Sequence, residues 1–169
     1  MRKIFINLFC IAVILFCSGE VKSQYNTGIG PRFGVVSRGF SVIQYFAPRT
    51  RGAANIIVSS QYGGFSSTAL YEVHSKNHNI NIELANVGFY VGVGAHYGYY
   101  KATKVYTKYT GNKTSVNAIG FDAIAGIEWK LPHLPLLLSA DLKPFIDVNN
   151  IKYKQKEYAD FALSLRLLF

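Results

Sequence analysis

Past its first two dozen residues the chain alternates apolar and polar positions with a period of two, in segments of about ten residues, and no stretch holds a helical period. Residues 86–100 show the alternation best. Val87, Phe89, Val91, Val93, Ala95, Tyr97 and Tyr99 share one face; Asn86, Gly88, Tyr90, Gly92, Gly94, His96, Gly98 and Tyr100 share the other. Successive side chains of a strand point to opposite sides, so one face of this strand is apolar and the other small or polar. Residues 118–130, 136–144 and 158–169 repeat the pattern, and weaker versions lie at 28–36, 39–46, 53–60 and 65–74, with 39–46 ambiguous in face. The count of eight is even, as closed bacterial membrane barrels require. The pattern predicts an all-β chain, an eight-stranded antiparallel up-and-down transmembrane β-barrel over residues 24–169.

Periodicity alone does not say which face is inside. The less apolar faces carry Arg32, Lys130, Lys143 and Arg166 together with Glu72, Asp122, Glu128, Asp141 and Asp160. Gly88, Gly92, Gly94 and Gly98 share a face with His96. Inside a narrow barrel glycine makes room for large neighbours, whereas on a solvated outer face it only weakens a strand. With both termini on the periplasmic side, Tyr45, Phe46, Phe89, Trp129 and Phe169 fall near one rim, and Tyr97, Tyr99, Phe121, Phe145 and Phe161 near the other. Two aromatic girdles are what bilayer interfaces select. The two longest connections, 101–116 and 145–157, then face the cell exterior. The 75–85 segment is longer than a periplasmic turn should be.

The N-terminus adds a compartment. Arg2 and Lys3 precede an apolar run from Ile4 to Phe16, and Val21-Lys22-Ser23 offers a cleavage site, so residues 1–23 read as a secretory signal peptide with Gln24 as the new N-terminus. Cys10 and Cys17 both fall in that segment, leaving the remainder without a thiol or a disulfide. Lipidation at Cys17 is the minor alternative, disfavoured by Phe16 before it. The remainder carries 18 − 3 = 15 basic and 8 acidic residues (9 − 1), a net charge of +7. On an exported chain such a charge points away from nucleic acid and toward anionic lipid or polysaccharide.

The chain resembles small outer-membrane β-barrel proteins of Bacteroidota. The likeness rests on Gln24 directly after the signal, on Gly126-Ile127-Glu128-Trp129-Lys130 leading to Pro135, on Leu138-Ser139-Ala140-Asp141-Leu142-Lys143-Pro144, and on Phe169 after alternating Leu163, Leu165 and Leu167. The last four look like the C-terminal signal read by the barrel-assembly machinery. Leu142 stands where that family usually has an aromatic residue after the Asp. The resemblance implies an outer-membrane location and an eight-stranded barrel, and no particular activity.

An eight-stranded barrel is just wide enough for side chains to fill it. Buried charges must pair, so Arg32, Lys130, Lys143 and Arg166 are expected to find carboxylate partners in a plugged lumen without an open channel. The basic excess lies outside the strands, as Lys101, Lys104, Lys108 and Lys113 on one long loop and Lys152, Lys154 and Lys156 on another. These two clusters suggest contact with lipopolysaccharide or another anionic surface ligand. No spacing matches a phosphate loop, a dinucleotide fingerprint or a metal site; His74 and His78, four apart, would serve a metal on a helix and not on a strand. No serine, histidine and carboxylate are tied together by spacing, so no catalytic residue, cofactor or metal is assigned and a non-enzymatic role is expected. The competing readings are a narrow pore for small solutes and a soluble lipocalin-like carrier whose apolar faces point inward. Oligomeric state is not legible.

Overall fold

A computed structural model describes residues 26–46, 51–75, 86–101, 105–107, 115–131, 134–149, 151–153 and 158–169. Segment 1–23, with its signal-peptide reading, lies outside them. The strands are β1 (Thr27–Gly34), β2 (Ser37–Tyr45), β3 (Gly52–Gln61), β4 (Gly64–His74), β5 (Asn86–Lys101), β6 (Val105–Thr107), β7 (Ser115–Lys130), β8 (Leu136–Asp147), β9 (Ile151–Tyr153) and β10 (Ala159–Leu168). Eight of them close into an antiparallel barrel in the order β1-β10-β8-β7-β5-β4-β3-β2. Chain neighbours are sheet neighbours throughout, and β10 returns to β1. That last seam is held beyond the strands by Phe169 N–H donating to the Thr27 carbonyl at 2.9 Å and Thr27 N–H to the Phe169 carbonyl at 3.1 Å. All eight anticipated strands are present, with ends moved by a few residues. Val35, assigned to the first strand from sequence, lies in the β1–β2 turn.

The remaining two strands were not anticipated. β6 and β9 lie in the two long connections and pair with each other, Tyr106 opposite Lys152. The pairing ties together loops that the sequence reading treated as separate. They stand at the distal rim, opposite the rim that carries the start of β1 and Phe169.

At the distal rim β3 passes to β4 through Tyr62 and Gly63, with φ of 49° and 70°. Two consecutive left-handed residues match the twist of the flanking strands, as a two-residue hairpin turn demands. Gly63 adopts this conformation freely. Tyr62 spends some strain on it and places its ring edge-on to Tyr100, centroids 5.5 Å apart. With Val116, Ala118 and Phe145 they form an apolar cluster inside the distal mouth.

The apolar faces point outward. Among the described strands, no charged side chain stands on the outer wall between Arg38 and Lys101 at the distal rim and Arg51 below β3 at the terminal rim. Between those limits stand Ile29, Phe33, Phe40, Val42, Ile56, Val58, Phe65, Tyr71, Val91, Val93, Phe121, Ile127, Leu142, Phe161, Leu163 and Leu165, all exposed. Inside are Arg32, Glu72, His74, His96, Asp122, Asp141, Lys143, Asp160 and Arg166, each less than a tenth exposed. The β2 segment, ambiguous in face, resolves with Ser41 and Ile43 inward and Phe40 and Val42 outward. Two residues assigned to the aromatic girdles belong to the lumen instead. Phe145 is buried in the distal cluster, and Tyr45 turns its hydroxyl inward. Outward Tyr71, stacked on Phe46 at 6.3 Å, takes a place near the terminal rim that the sequence reading had not given it.

The lumen depends on glycine where strands approach a neighbour's side chains or backbone. At Gly30 on β1 a Cβ would collide with the Leu165 carbonyl and crowd the Arg166 backbone. Gly30→Ala is therefore expected to cost about 1–3 kcal/mol, the range for overpacking. A lowered urea midpoint with an unchanged m-value would register it.

Candidate functional site: the charged lumen

Three groups of polar side chains fill the barrel. The first surrounds Arg32, which β1 points inward and buries completely. Its Nη2 donates to Asp141 Oδ1 of β8 at 2.6 Å, and its Nη1 to Asp160 Oδ2 of β10 at 2.9 Å and to Ser37 Oγ of β2 at 3.1 Å. The Val36 amide donates to the other Asp160 oxygen at 2.9 Å. Gly34 on β1 is required beside it, since a Cβ there would sit on the Asp160 carboxylate.

The second group lies toward the distal mouth. His96 of β5 faces Asp122 Oδ1 of β7 through Nδ1 at 3.0 Å and Asp147 Oδ1 of β8 through Nε2 at 2.8 Å. Lys143 Nζ is 3.4 Å from the second Asp122 oxygen and 5.3 Å from the Phe145 ring centre.

The third group is a belt around the barrel. Arg166 of β10 donates through Nη1 to Ser139 Oγ of β8 at 3.0 Å and through Nε to Ser41 Oγ of β2 at 2.8 Å. Ser41 Oγ donates to Asn55 Oδ1 of β3 at 3.0 Å, and Asn55 Nδ2 to Glu72 Oε1 of β4 at 2.8 Å. His74 follows, its Nε2 3.4 Å from Glu72 Oε2 and its Nδ1 2.9 Å from Glu128 Oε1 of β7. Glu128 stands opposite Ser139 in the β7–β8 register, which brings the belt back to its start. Two strands contribute no link, and each has inward glycines at the belt. Gly30 does so on β1; on β5 a Cβ at Gly88 would press on the Glu128 carboxylate and one at Gly92 on the Glu72 side chain.

One bond crosses the lumen outright. Tyr45 OH of β2 donates to Glu128 Oε2 of β7 at 3.1 Å. β2 and β7 are four strands apart in either direction around the barrel, so this bond spans its diameter. Tyr90 links the groups, with its hydroxyl 3.3 Å from Asp141 Oδ2 and its ring stacked on His74 at 5.2 Å.

Of the nine charged residues expected in the interior, Arg32, Glu72, Asp122, Glu128, Asp141, Lys143, Asp160 and Arg166 take part in these contacts. Lys130 is half-buried at the terminal end of β7. Arg32 and Lys143 have carboxylate partners. Arg166 does not: its two bonds go to serine hydroxyls, Ser139 on the neighbouring β8 and Ser41 on β2, reached past Gly30 of β1. Both histidines and Asp147 complete the network and were missing from the expected set. From sequence His96 is placed only on the glycine-bearing face of its strand, and Asp147 lies three residues past the expected end of its own.

Of the lysines assigned to the outer loops, Lys101 is the exposed last residue of β5 and Lys152 lies on β9. Lys104, Lys108, Lys113, Lys154 and Lys156 lie outside the described residues, as does His78. Leu163, Leu165 and Leu167 project from the outer face of β10 and Phe169 follows it, exposed.

Chemically, the lumen is a network of ion pairs and hydrogen bonds that leaves a few charged atoms, among them Arg32 Nε, Arg166 Nη2 and Glu72 Oε2, buried without a hydrogen bond. Both ring nitrogens of His96 are occupied by carboxylates, and the Ser37, Ser41 and Ser139 hydroxyls are engaged by arginine, aspartate or asparagine side chains. Among the described residues no cluster of three or more histidine, cysteine or acidic side chains is arranged to hold a metal ion. No family model and no curated protein sequence matches the chain. The fold and the lumen define its class: an eight-stranded closed antiparallel β-barrel whose charges are inside and whose apolar faces are outside.

Proposed function

We propose that the chain spans the bacterial outer membrane as a small, plugged β-barrel of the kind found in Bacteroidota, with a structural or surface-interaction role exercised through its basic distal loops. The observation that carries this reading is the uncharged outer wall. On β5 it runs from Phe89 to Tyr99, 99 − 89 = 10 residue-to-residue steps. At about 3.4 Å per residue and a tilt of about 40° that spans roughly 26 Å, matching the apolar band of about 25 Å on membrane barrels. In water this surface would be an apolar patch far beyond what soluble monomers expose. A lipocalin-like carrier needs an apolar lumen, and a narrow pore needs a continuous polar passage. The charged lumen speaks against the first, and Tyr45–Glu128 across the diameter speaks against the second.

The role itself is read from charge. Lys101, Lys104, Lys108, Lys113, Lys152, Lys154 and Lys156 lie on or beside two connections that β6 and β9 join, on the side where lipopolysaccharide phosphates would lie. The barrel-assembly machinery would read Leu163, Leu165, Leu167 and Phe169 during insertion.

The test is an electrophoretic shift on boiling, applied to a purified outer-membrane fraction. A barrel of this kind is expected to resist detergent when cold and to change mobility once boiled. Recovery as a soluble periplasmic protein without a shift would remove the membrane reading. Exchanging the seven lysines for glutamine is expected to weaken lipopolysaccharide association while leaving that shift intact; unchanged association would discard the surface role alone.

A further inference from the structure

Among the described residues the lumen holds Glu72, Asp122, Glu128, Asp141, Asp147 and Asp160 against Arg32, Lys130, Lys143 and Arg166. That is six carboxylates to four arginine and lysine side chains, an excess of 6 − 4 = 2. Two histidines share the space, and each stands between two carboxylates. His96 has Asp122 at 3.0 Å and Asp147 at 2.8 Å on its two ring nitrogens; His74 has Glu128 at 2.9 Å and Glu72 at 3.4 Å. An ionised carboxylate only accepts hydrogen bonds, and a neutral imidazole donates from one nitrogen only. At His96 both nitrogens are hydrogen-bonded to carboxylates, which only an imidazolium allows; at His74 the Nε2 stands at ion-pair distance from Glu72 without a hydrogen bond, and only an imidazolium sets a proton rather than a lone pair against that carboxylate. Two imidazoliums bring the lumen to neutrality.

We propose that His74 and His96 are protonation-dependent latches at the two ends of the lumen, each clamping a pair of carboxylates as an imidazolium and releasing it as the pH rises. The positions suit the role. His74 ends β4 at the terminal rim, and through Glu128 it joins β4 to β7. His96 lies in the distal half of β5 and joins it to β7 and to Asp147, the last residue of β8. When either ring loses its second proton, a nitrogen lone pair faces a carboxylate and two buried carboxylates lose the cation between them. That arrangement is costly where water is scarce.

Other ionisable groups face the same rings and must be separated from them. Tyr45 of β2 presents its ring edge to His74 at 5.0 Å, Tyr90 of β5 stacks on it, and β7 supplies Glu128 with Lys130 two residues beyond. Around His96, β7 supplies Asp122, and β8 supplies Lys143 on that same carboxylate, Phe145 edge-on at 6.1 Å, and Asp147. On β4 its register partner is Thr68, which does not titrate. Lysine and tyrosine also lose protons on the alkaline side, so a pH response alone does not identify the histidines.

The test uses the chain folded in detergent micelles, so failure of the latch is distinct from failure of the membrane reading. Ring-nitrogen NMR at neutral pH is expected to show both nitrogens protonated in two histidines, assigned by their loss in His74→Gln and His96→Gln. Raising the pH is expected to convert them to single-proton rings while amide protection at Val73, His74, Ile146 and Asp147 falls by about tenfold, the weight of one charge-assisted hydrogen bond. The double glutamine variant is expected to lose this pH step. A single protonated nitrogen on either ring at neutral pH overturns the proposal, and so does a step that persists in the double variant. Should the glutamine variants not fold, Asp147→Asn and Glu128→Gln keep the rings and remove one carboxylate charge each. The step is then expected to begin at lower pH, and an unmoved step overturns the latch.

Discussion

Val93→Arg is expected to destabilise the folded barrel in lipid by about 2–4 kcal/mol, the cost of a cation near the bilayer midplane. Val93 projects from the outer face of β5 between Phe89 and Tyr99 and is 66% exposed. In a soluble protein so exposed a position tolerates arginine within about 0.5 kcal/mol, because water solvates the charge. The same substitution therefore separates the two readings of one surface. Asn117→Arg supplies the internal standard. Asn117 is also exposed and outward but lies level with Tyr99 near the distal rim, where the charge reaches headgroups and the cost falls to about 0–1 kcal/mol. Denaturant unfolding in liposomes measures both. Equal costs at the two positions would mean that no hydrocarbon surrounds the wall.

The alternation that predicts the barrel is legible in the sequence because a strand's side-chain period is two and nothing else in a chain produces it over so many segments. The assignment of faces follows on long strands. On β5 and β7 sixteen-residue runs leave no doubt which residues share a side. The same logic weakens at strand ends. Tyr45 and Phe145 were placed in the girdles as aromatic residues near a rim. Continuing the alternation from Ile43 and from Lys143 puts both inside, where Tyr45 finds Glu128 and Phe145 caps the distal mouth. Ion-pair partners were not legible for a different reason. His96 meets Asp147 across β7, and Tyr45 meets Glu128 across the whole lumen. Such distances depend on the register of every intervening strand, which residue types alone do not specify. Arg166 illustrates the consequence: a carboxylate is the chemically expected partner, and the register supplies two serines. β6 and β9, three residues each, are too short to leave a periodic trace.

Arg32→Leu is the second large effect, expected to cost about 3–5 kcal/mol. Removing the guanidinium leaves Asp141 and Asp160 buried with no cation bonded to either. Asp160 keeps Ser37 and the Val36 amide, and Asp141 keeps Tyr90, but neutral donors do not replace a charge at 2.6 and 2.9 Å. Arg32→Lys should recover only part of the loss, because a single ammonium does not reproduce a planar fork reaching two strands at once. The triple variant Arg32→Leu, Asp141→Asn, Asp160→Asn is expected to recover more, since buried ion pairs often stabilise no better than neutral groups of similar shape. Urea titration of the four proteins decides the order. A cost below about 1 kcal/mol for Arg32→Leu would mean that water reaches both carboxylates and that the lumen is not plugged at this level. If the triple variant is as stable as the parent, ionic pairing at Arg32 is not what holds the barrel together. Its remaining contribution is then to keep the lumen filled, and planar-bilayer conductance of the triple variant reads that directly: long-lived current steps absent from the parent are the result a charge-built plug requires.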